Sequence, residues 1–206
     1  MWISDTRESY DTVAESYSEM LRDALAGAPE QRGILQLFAE LARAAGGPVA
    51  DVGCGTGRIT HYLHGLGLDV SGIDLSPGMI AVAQREYPDC AFRVGSMTDL
   101  PYGDAALGGL FAWWSLIHVP DDEMPGVFAQ FRRVLRPGGP LMVAFNLGTG
   151  ETLKTEGYGG HPMRVRVHRR TAEEVAASLR RAGFSIEMDL RLEPDDPKPG
   201  GVIFAR

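Results

Sequence analysis

The stretch Val49-Ala50-Asp51-Val52-Gly53-Cys54-Gly55-Thr56-Gly57-Arg58 decides the reading of this chain. It begins as a short apolar strand and runs into a glycine-rich turn. A helix is expected to start near Thr56, carrying Ile59, Tyr62 and Leu63 on an apolar face. Gly53 and Gly55 can take backbone angles closed to other residues, so the chain can turn sharply and lie close to a ligand. Amides at the turn and at the helix N-terminus favour negative charge. The dinucleotide fingerprint is G-x-G-x-x-G. Here the glycines fall at 53, 55 and 57, and Arg58 stands where the third would be. Asp51 precedes the first glycine by two residues. A carboxylate buried at a strand end costs free energy unless it meets donors or a cation. It would repel a pyrophosphate and hold a ligand with an ammonium group. The plainer alternative is that Asp51 caps the turn and the glycines only tighten it.

Working outward, helices and strands alternate. Tyr10, Val13, Ala14, Tyr17, Met20 and Leu21 recur at helical spacing between Ser4 and about Ala26, with Asp5 or Ser4 as cap. A second helix is expected from about Glu30 to Ala45. After the first strand and its helix comes a second strand from Asp69, ending in Asp74. A helix follows, with Ser76 as cap and Pro77 at its first position. Cys90 to Val94, Gly108 to Trp113 and Pro140 to Asn146 read as further strands, with a helix from Asp121 to Leu135. Thr171 caps a helix to about Ala182, and Glu174 completes a capping box. Phe184 to Leu192 and Gly201 to Arg206 form a closing hairpin. The segment from Leu147 to Arg170 has no helical periodicity, although Met163 to His168 alternates like a strand.

This order predicts an α/β, doubly wound, mostly parallel sheet with an antiparallel last strand and an N-terminal helical cap. In such sheets the ligand sits outside the carboxyl ends of the strands. That rule gathers Asp51 to Gly57, Asp74, Gly95 to Asp99 and Ala112 to Ser115. Asp74, 21 residues beyond Gly53, is placed to accept both hydroxyls of a ribose, or to cap the next helix. Met97 offers an adaptable apolar surface to an adenine ring, or ordinary packing.

Bulk properties narrow the class. The 206 residues fit one domain, with 1–46 as helical cap, 47–147 as cofactor-binding core and 148–206 as variable segment plus C-terminal helix and hairpin. No apolar run approaches the ~20 residues of a membrane span. MWISDTRESYD shows no signal-peptide pattern, and the two cysteines make no disulfide framework, so a cytoplasmic protein is expected. A net charge of −7 argues against nucleic acid as partner. No carboxylate–histidine cluster suggests a metal.

VADVGCGTGR, GIDLSPGMI, GSMTDLPYGD, WWSLIHVPD and RVLRPGG together resemble the class I S-adenosylmethionine-dependent methyltransferases, closely over residues 48–147. Within them the likeness is to small-molecule enzymes of the quinone-biosynthesis type. The resemblance implies a seven-stranded Rossmann-like sheet, S-adenosylmethionine as cofactor and S-adenosylhomocysteine as product. It further implies that Asp51, Gly53, Cys54 and Gly55 line the methionine and ribose side. Asp74 would bind the ribose, with Leu75 and Met79 against the adenine. Ser96 and Met97 would flank the adenine edge, while Ala112 and Trp113 approach the methionyl group. Tyr10 and Tyr17 match a helix that covers the cofactor. Ser96 stands where an acidic residue is common, which shifts the adenine contact to Asp99 or backbone. The paired Trp113 and Trp114 suggest an aromatic wall in the acceptor pocket.

The activity implied is methyl transfer to a small-molecule acceptor by in-line displacement, from a monomer or homodimer with no membrane partner. His118 is the candidate general base, should the acceptor lose its proton early. His161, His168, Arg164 and Arg166 lie in the segment expected to shape the acceptor pocket, where arginines suit an acidic molecule or simply form a solvated strand face, the plainer reading. A nicotinamide-dependent oxidoreductase and a non-catalytic cofactor-binding protein are the alternatives.

Overall fold

The computed structural model describes residues 2–193 and 195–206. Helices α1 (Trp2–Leu21) and α2 (Pro29–Ala45) lead into strand β1 (Val49–Val52) and α3 (Arg58–Gly65). Then follow β2 (Val70–Asp74), α4 (Pro77–Glu86), β3 (Ala91–Val94) and β4 (Gly109–Trp113). A 3₁₀ turn (Leu116–His118) precedes α5 (Met124–Val134) and β5 (Leu141–Asn146). The remainder is β6 (Glu151–Gly157), β7 (His161–His168), α6 (Ala172–Arg181), β8 (Ile186–Leu192) and β9 (Gly200–Ala205).

The main sheet has seven strands in the order β3-β2-β1-β4-β5-β9-β8. Its first five are parallel, with Val49 opposite both Val70 and Gly109. β9 runs antiparallel to β5 and to β8. The expected doubly wound sheet with an antiparallel last strand is therefore present. The strand order reverses between β1 and β4, which opens a crevice at their carboxyl ends.

Side chains alternate across the sheet with period two. Leu110 and Ala112 of β4 pack on the α5–α6 side with Phe128, Phe131 and Leu179. Phe111 and Trp113 pack on the α2–α3 side with Phe38, Leu63 and Phe204. β5 and β9 divide in the same way, so one pattern of alternation serves both helical layers.

Local chemistry sets the helix ends. Ser76 accepts from the Met79 amide at 3.0 Å, with Pro77 next to it. Thr171 and Glu174 form the reciprocal capping box. α3 begins at Arg58 because Gly57, at φ 81°, is left-handed and cannot be helical. α1 starts at Trp2, so Ser4 and Asp5 fall inside its first turn instead of capping it. It also stops at Leu21, short of the expected Ala26. Beyond it the Ala24 amide bonds the Leu21 carbonyl, and the Arg32 guanidinium holds the Leu25 carbonyl at 2.7 Å, so the chain continues as turns. Pro29 takes the first position of α2, which runs to Ala45 as expected. α5 begins at Met124, not Asp121, whose carboxylate instead holds Arg170 at 2.8 Å.

The segment read as irregular contains an unexpected strand, β6. It pairs antiparallel with β7 in a separate two-stranded ribbon. β6 is largely exposed and alternates poorly, which hides it from periodicity arguments. β7 buries Met163 and Val165 against Val13, Ala14 and Met79, so ribbon, α1 and α4 share a small third core above the crevice.

Candidate cofactor and acceptor site

A cavity of about 370 Å³ lies at the carboxyl ends of the parallel strands. Its floor is the glycine turn. Gly53 has φ 79°, and a Cβ there would stand 2.2 Å from the Ser115 Cβ, so only glycine fits. Ser115 in turn donates to the Val52 carbonyl at 2.6 Å, fixing the β1 turn to the end of β4. It stands on the cavity wall, at the end of the Ala112 to Ser115 stretch gathered there by the doubly wound rule.

Asp51 is 1% exposed. Its Oδ2 accepts from Thr60 Oγ1 at 2.6 Å, while Oδ1 is buried with no partner among the described residues. Burial pushes its carboxyl up to about 7, against the pull of the Thr60 hydrogen bond and the Arg58 charge. Arg58, on the same wall, likewise holds a buried Nη1 with no partner among the described residues. Two residues of opposite charge, each with an unpartnered buried atom, thus line one cavity. Unsatisfied buried charge is costly, and a zwitterionic amino-acid group satisfies both.

Asp74 ends β2 on the cavity wall. Its Oδ2 accepts from the Gly55 amide at 2.8 Å and its Oδ1 from the Ser76 amide at 2.9 Å. Burial raises its pKa despite these two donors. Each carboxylate oxygen keeps a lone pair for a further donor such as a ribose hydroxyl. Leu75, Met79, Ser96 and Met97 line the same end, offering two thioethers and a leucine to a flat base. Ser96 is turned inward on Thr98, bonding its hydroxyl at 2.7 Å and its amide at 3.2 Å. Asp99 is exposed and off the cavity wall, so it is not the adenine contact.

Cys54, Gly55, Trp113 and Trp114 also reach the cavity. Ala112 does not. It is wholly buried on the opposite face of the sheet, because alternation along β4 sends it toward α5. Trp114 has φ 57°, a left-handed conformation that a bulky residue adopts only when its surroundings hold it there. Its ring lies against Gly200, where a Cβ would come within 2.4 Å. The two indoles meet edge to face at 6.0 Å and wall one end of the chamber.

α1 roofs the cavity. Tyr17 lies over the glycine turn, 3.8 Å from where a Gly55 Cβ would be. Tyr10 bonds its hydroxyl to His118 Nε2 at 2.7 Å. The other ring nitrogen, Nδ1, faces the Arg166 carbonyl at 2.8 Å. A carbonyl only accepts, so Nδ1 carries the proton and Nε2 accepts from Tyr10. Burial pushes His118 down to about 4, which keeps it neutral. His118 thus lines the cavity with both nitrogens engaged. Tyr158, from the turn of the ribbon, completes the roof.

The basic residues of β7 stay outside. Arg166 pairs with Glu151, and Arg170 is buried on Asp121 and the carbonyls of Leu116 and Val119. Arg164, His161 and His168 also lie off the cavity wall. Among the described residues, the charged side chains on that wall are Asp51, Arg58 and Asp74. Among the described residues no cluster could hold a metal ion, and no helix is long and apolar enough to cross a membrane.

Residues 49–139 match the family model described as a methyltransferase domain. The chain is 32% identical over 161 residues to O-methyltransferase cnsE of Penicillium expansum, covering 68% of this chain and 58% of that protein. It is 33% identical over 135 residues to the demethylmenaquinone methyltransferase of Renibacterium salmoninarum, covering 66% and 56%. The chain therefore spans under two thirds of either relative. Among solved structures it resembles a DhpI–S-adenosylhomocysteine complex, with TM-score 0.75 and 24% identity over 99% of this chain and 96% of that one. The CcbJ methyltransferase of Streptomyces caelestis gives TM-score 0.75 and 22% identity over 96% and 97%. These two likenesses carry the fold.

Proposed function

We propose that this chain is an S-adenosylmethionine-dependent methyltransferase that transfers a methyl group from that cofactor to an uncharged small-molecule acceptor. The observation that carries the reading is the pair of oppositely charged residues Asp51 and Arg58, each with an unpartnered buried atom, lining one cavity. They suit the α-ammonium and α-carboxylate of the methionyl group. Asp74 takes the ribose hydroxyls, and Leu75, Met79 and Met97 pack on the adenine. A nicotinamide dinucleotide fits less well, because its pyrophosphate would meet the Asp51 carboxylate.

The bound cofactor supplies a sulfonium whose methyl is already activated for displacement. The protein's task is to align the acceptor and exclude water. Trp113, Trp114, Tyr10 and Tyr17 do this at the reacting end. Once the three charged residues are assigned to the cofactor, the remaining wall is neutral and largely aromatic, which supports an uncharged acceptor. The arginines at and beyond β7 lie off the cavity wall and do not recruit an acidic one. His118 is assigned to orienting the Tyr10 hydroxyl instead of taking the acceptor's proton directly, since its Nε2 lone pair is occupied. The nucleophile is oxygen, nitrogen or carbon; the relatives named as O-methyltransferases put oxygen first in the screen.

Calorimetry with S-adenosylmethionine, S-adenosylhomocysteine and NAD tests the cofactor half. The first two should bind, and binding of NAD alone would sink the reading. A screen of metabolite fractions with methyl-labelled cofactor tests the transfer. Label should enter neutral fractions; tight cofactor binding with no transfer to any fraction would leave a binding protein.

A further inference from the structure

The roof of the cavity has two parts of unequal attachment. α1 is pinned along its length. Asp11 Oδ1 accepts from Ser76 Oγ at 2.6 Å and from the Gly78 amide at 2.8 Å. Ser18 donates to Glu86 at 2.7 Å, and Arg85 clamps Glu15 through two 2.7 Å bonds. The stem of the ribbon is fixed as well, by the buried Val165 and by the Arg164 amide on Ser9 Oγ at 2.8 Å.

The ribbon tip differs. Residues 157–160 read Gly-Tyr-Gly-Gly, with Gly159 at φ 95° and Gly160 at φ 85°. Tyr158 itself is left-handed at φ 48°, unusual for a non-glycine residue. A register irregularity between Lys154 and Glu156 interrupts the ladder just before it. What ties the tip to α1 is chiefly the Tyr158 ring. It meets Tyr17 edge to face at 4.7 Å and is covered from outside by Lys154 Nζ at 4.0 Å. Tyr17 is the residue that lies over Gly55 and hence over the cofactor seat.

We infer that the ribbon tip is the door of the cofactor cavity, with Tyr158 as its latch on Tyr17, and that nucleoside cofactor and product pass when the tip lifts while α1 stays in place. The weakest-tied element bounding a cavity moves first. Here that element carries three glycines, a strained residue and a single side chain, Tyr158, whose ring meets Tyr17 at 4.7 Å and Tyr10 at 6.4 Å. The inference rests on S-adenosylmethionine as ligand.

Stopped-flow measurement with S-adenosylhomocysteine tests it, read by the fluorescence of Trp113 and Trp114 on the cavity wall. Wild-type protein is measured first; if it does not bind, the cofactor reading and the door fall together. If it binds, Tyr158→Ala should raise the dissociation rate on the order of tenfold without slowing association. Tyr158→Phe, which keeps the ring, should leave both rates near wild type. Unchanged rates in Tyr158→Ala would overturn the door and spare the cofactor reading. A cross-link gives the opposite perturbation. A Cβ at Gly159 would lie 3.8 Å from the Ser16 Cβ, the usual separation across a disulfide. Cys54 and Cys90 are both buried and do not compete. Oxidised Ser16→Cys/Gly159→Cys should neither take up nor release product until reduced, and free exchange in the cross-linked form would overturn the inference. Should the strained cysteine at 159 fail to cross-link, the two Tyr158 variants decide.

Discussion

Asp51 offers a direct test of the charge clamp. Its carboxyl sits at about 7 in the ligand-free protein, because burial outweighs its one hydrogen bond and the nearby Arg58. About nine tenths of such carboxyls hold a proton at pH 6, and about one tenth at pH 8. An ammonium against Oδ1 favours the ionised form and returns the pKa toward the ordinary ~4. Binding S-adenosylhomocysteine should then release about 0.9 proton at pH 6 and about 0.1 at pH 8. The same linkage weakens affinity roughly tenfold between pH 8 and pH 6, or ~1.4 kcal/mol. Calorimetry in buffers of different ionisation enthalpy reads the proton count. Asp51→Asn can still accept from Thr60 but does not titrate, so both effects should vanish in it. The variant also carries its own folding control. A carboxyl whose folded pKa is raised adds stability that is complete below its unfolded pKa and lost as pH rises through about 7. Ligand-free Asp51→Asn should therefore melt above wild type at pH 8 and close to it at pH 4. No proton release by wild type at pH 6 would refute the clamp. Release that persists in Asp51→Asn would move the titration to Asp74.

Two further perturbations address other parts of the site. Gly53→Ala puts a Cβ 2.2 Å from the Ser115 Cβ at φ 79°, which should cost roughly 2–4 kcal/mol in chemical denaturation. Adding Ser115→Gly should return the steric share only, leaving the cost of the backbone angle. His118, pushed down to about 4 by burial, should keep a neutral ring protonated on Nδ1 from pH 8 down to pH 5. Nitrogen chemical shifts check this. Tyr10→Phe should shift Nε2 alone, and an imidazolium signal at pH 6 would contradict the assignment.

What was legible in the sequence follows from how local its cause is. The sheet could be read because β4, β5 and β9 alternate between two buried layers and because α4 and α6 carry their own caps. The cofactor half of the site could be read for a similar reason. Asp51, Gly53 and Asp74 sit at strand ends, where the doubly wound rule gathers them whatever the loops do. Ala112 shows the limit of that rule. Its place in the chain is next to the site, but strand parity points it to the other face. Arg58 was visible as a departure from the dinucleotide spacing, yet only the buried, unpartnered Nη1 suggests a ligand for it.

The acceptor half was opaque because its walls are made by packing between distant segments. Tyr158 reaches Tyr17 only because β6 pairs with β7, and β6 has no periodicity to announce it. The arginines at and just beyond β7 illustrate the converse. In sequence they form a basic cluster near the expected acceptor pocket. In the fold Arg166 is spent on Glu151 and Arg170 on Asp121 and two carbonyls, so their charge never reaches the cavity. A charge count along the chain predicts an acidic acceptor; a charge count along the cavity wall predicts a neutral one. The second is the relevant quantity, because a ligand is selected by the unpaired groups that face it.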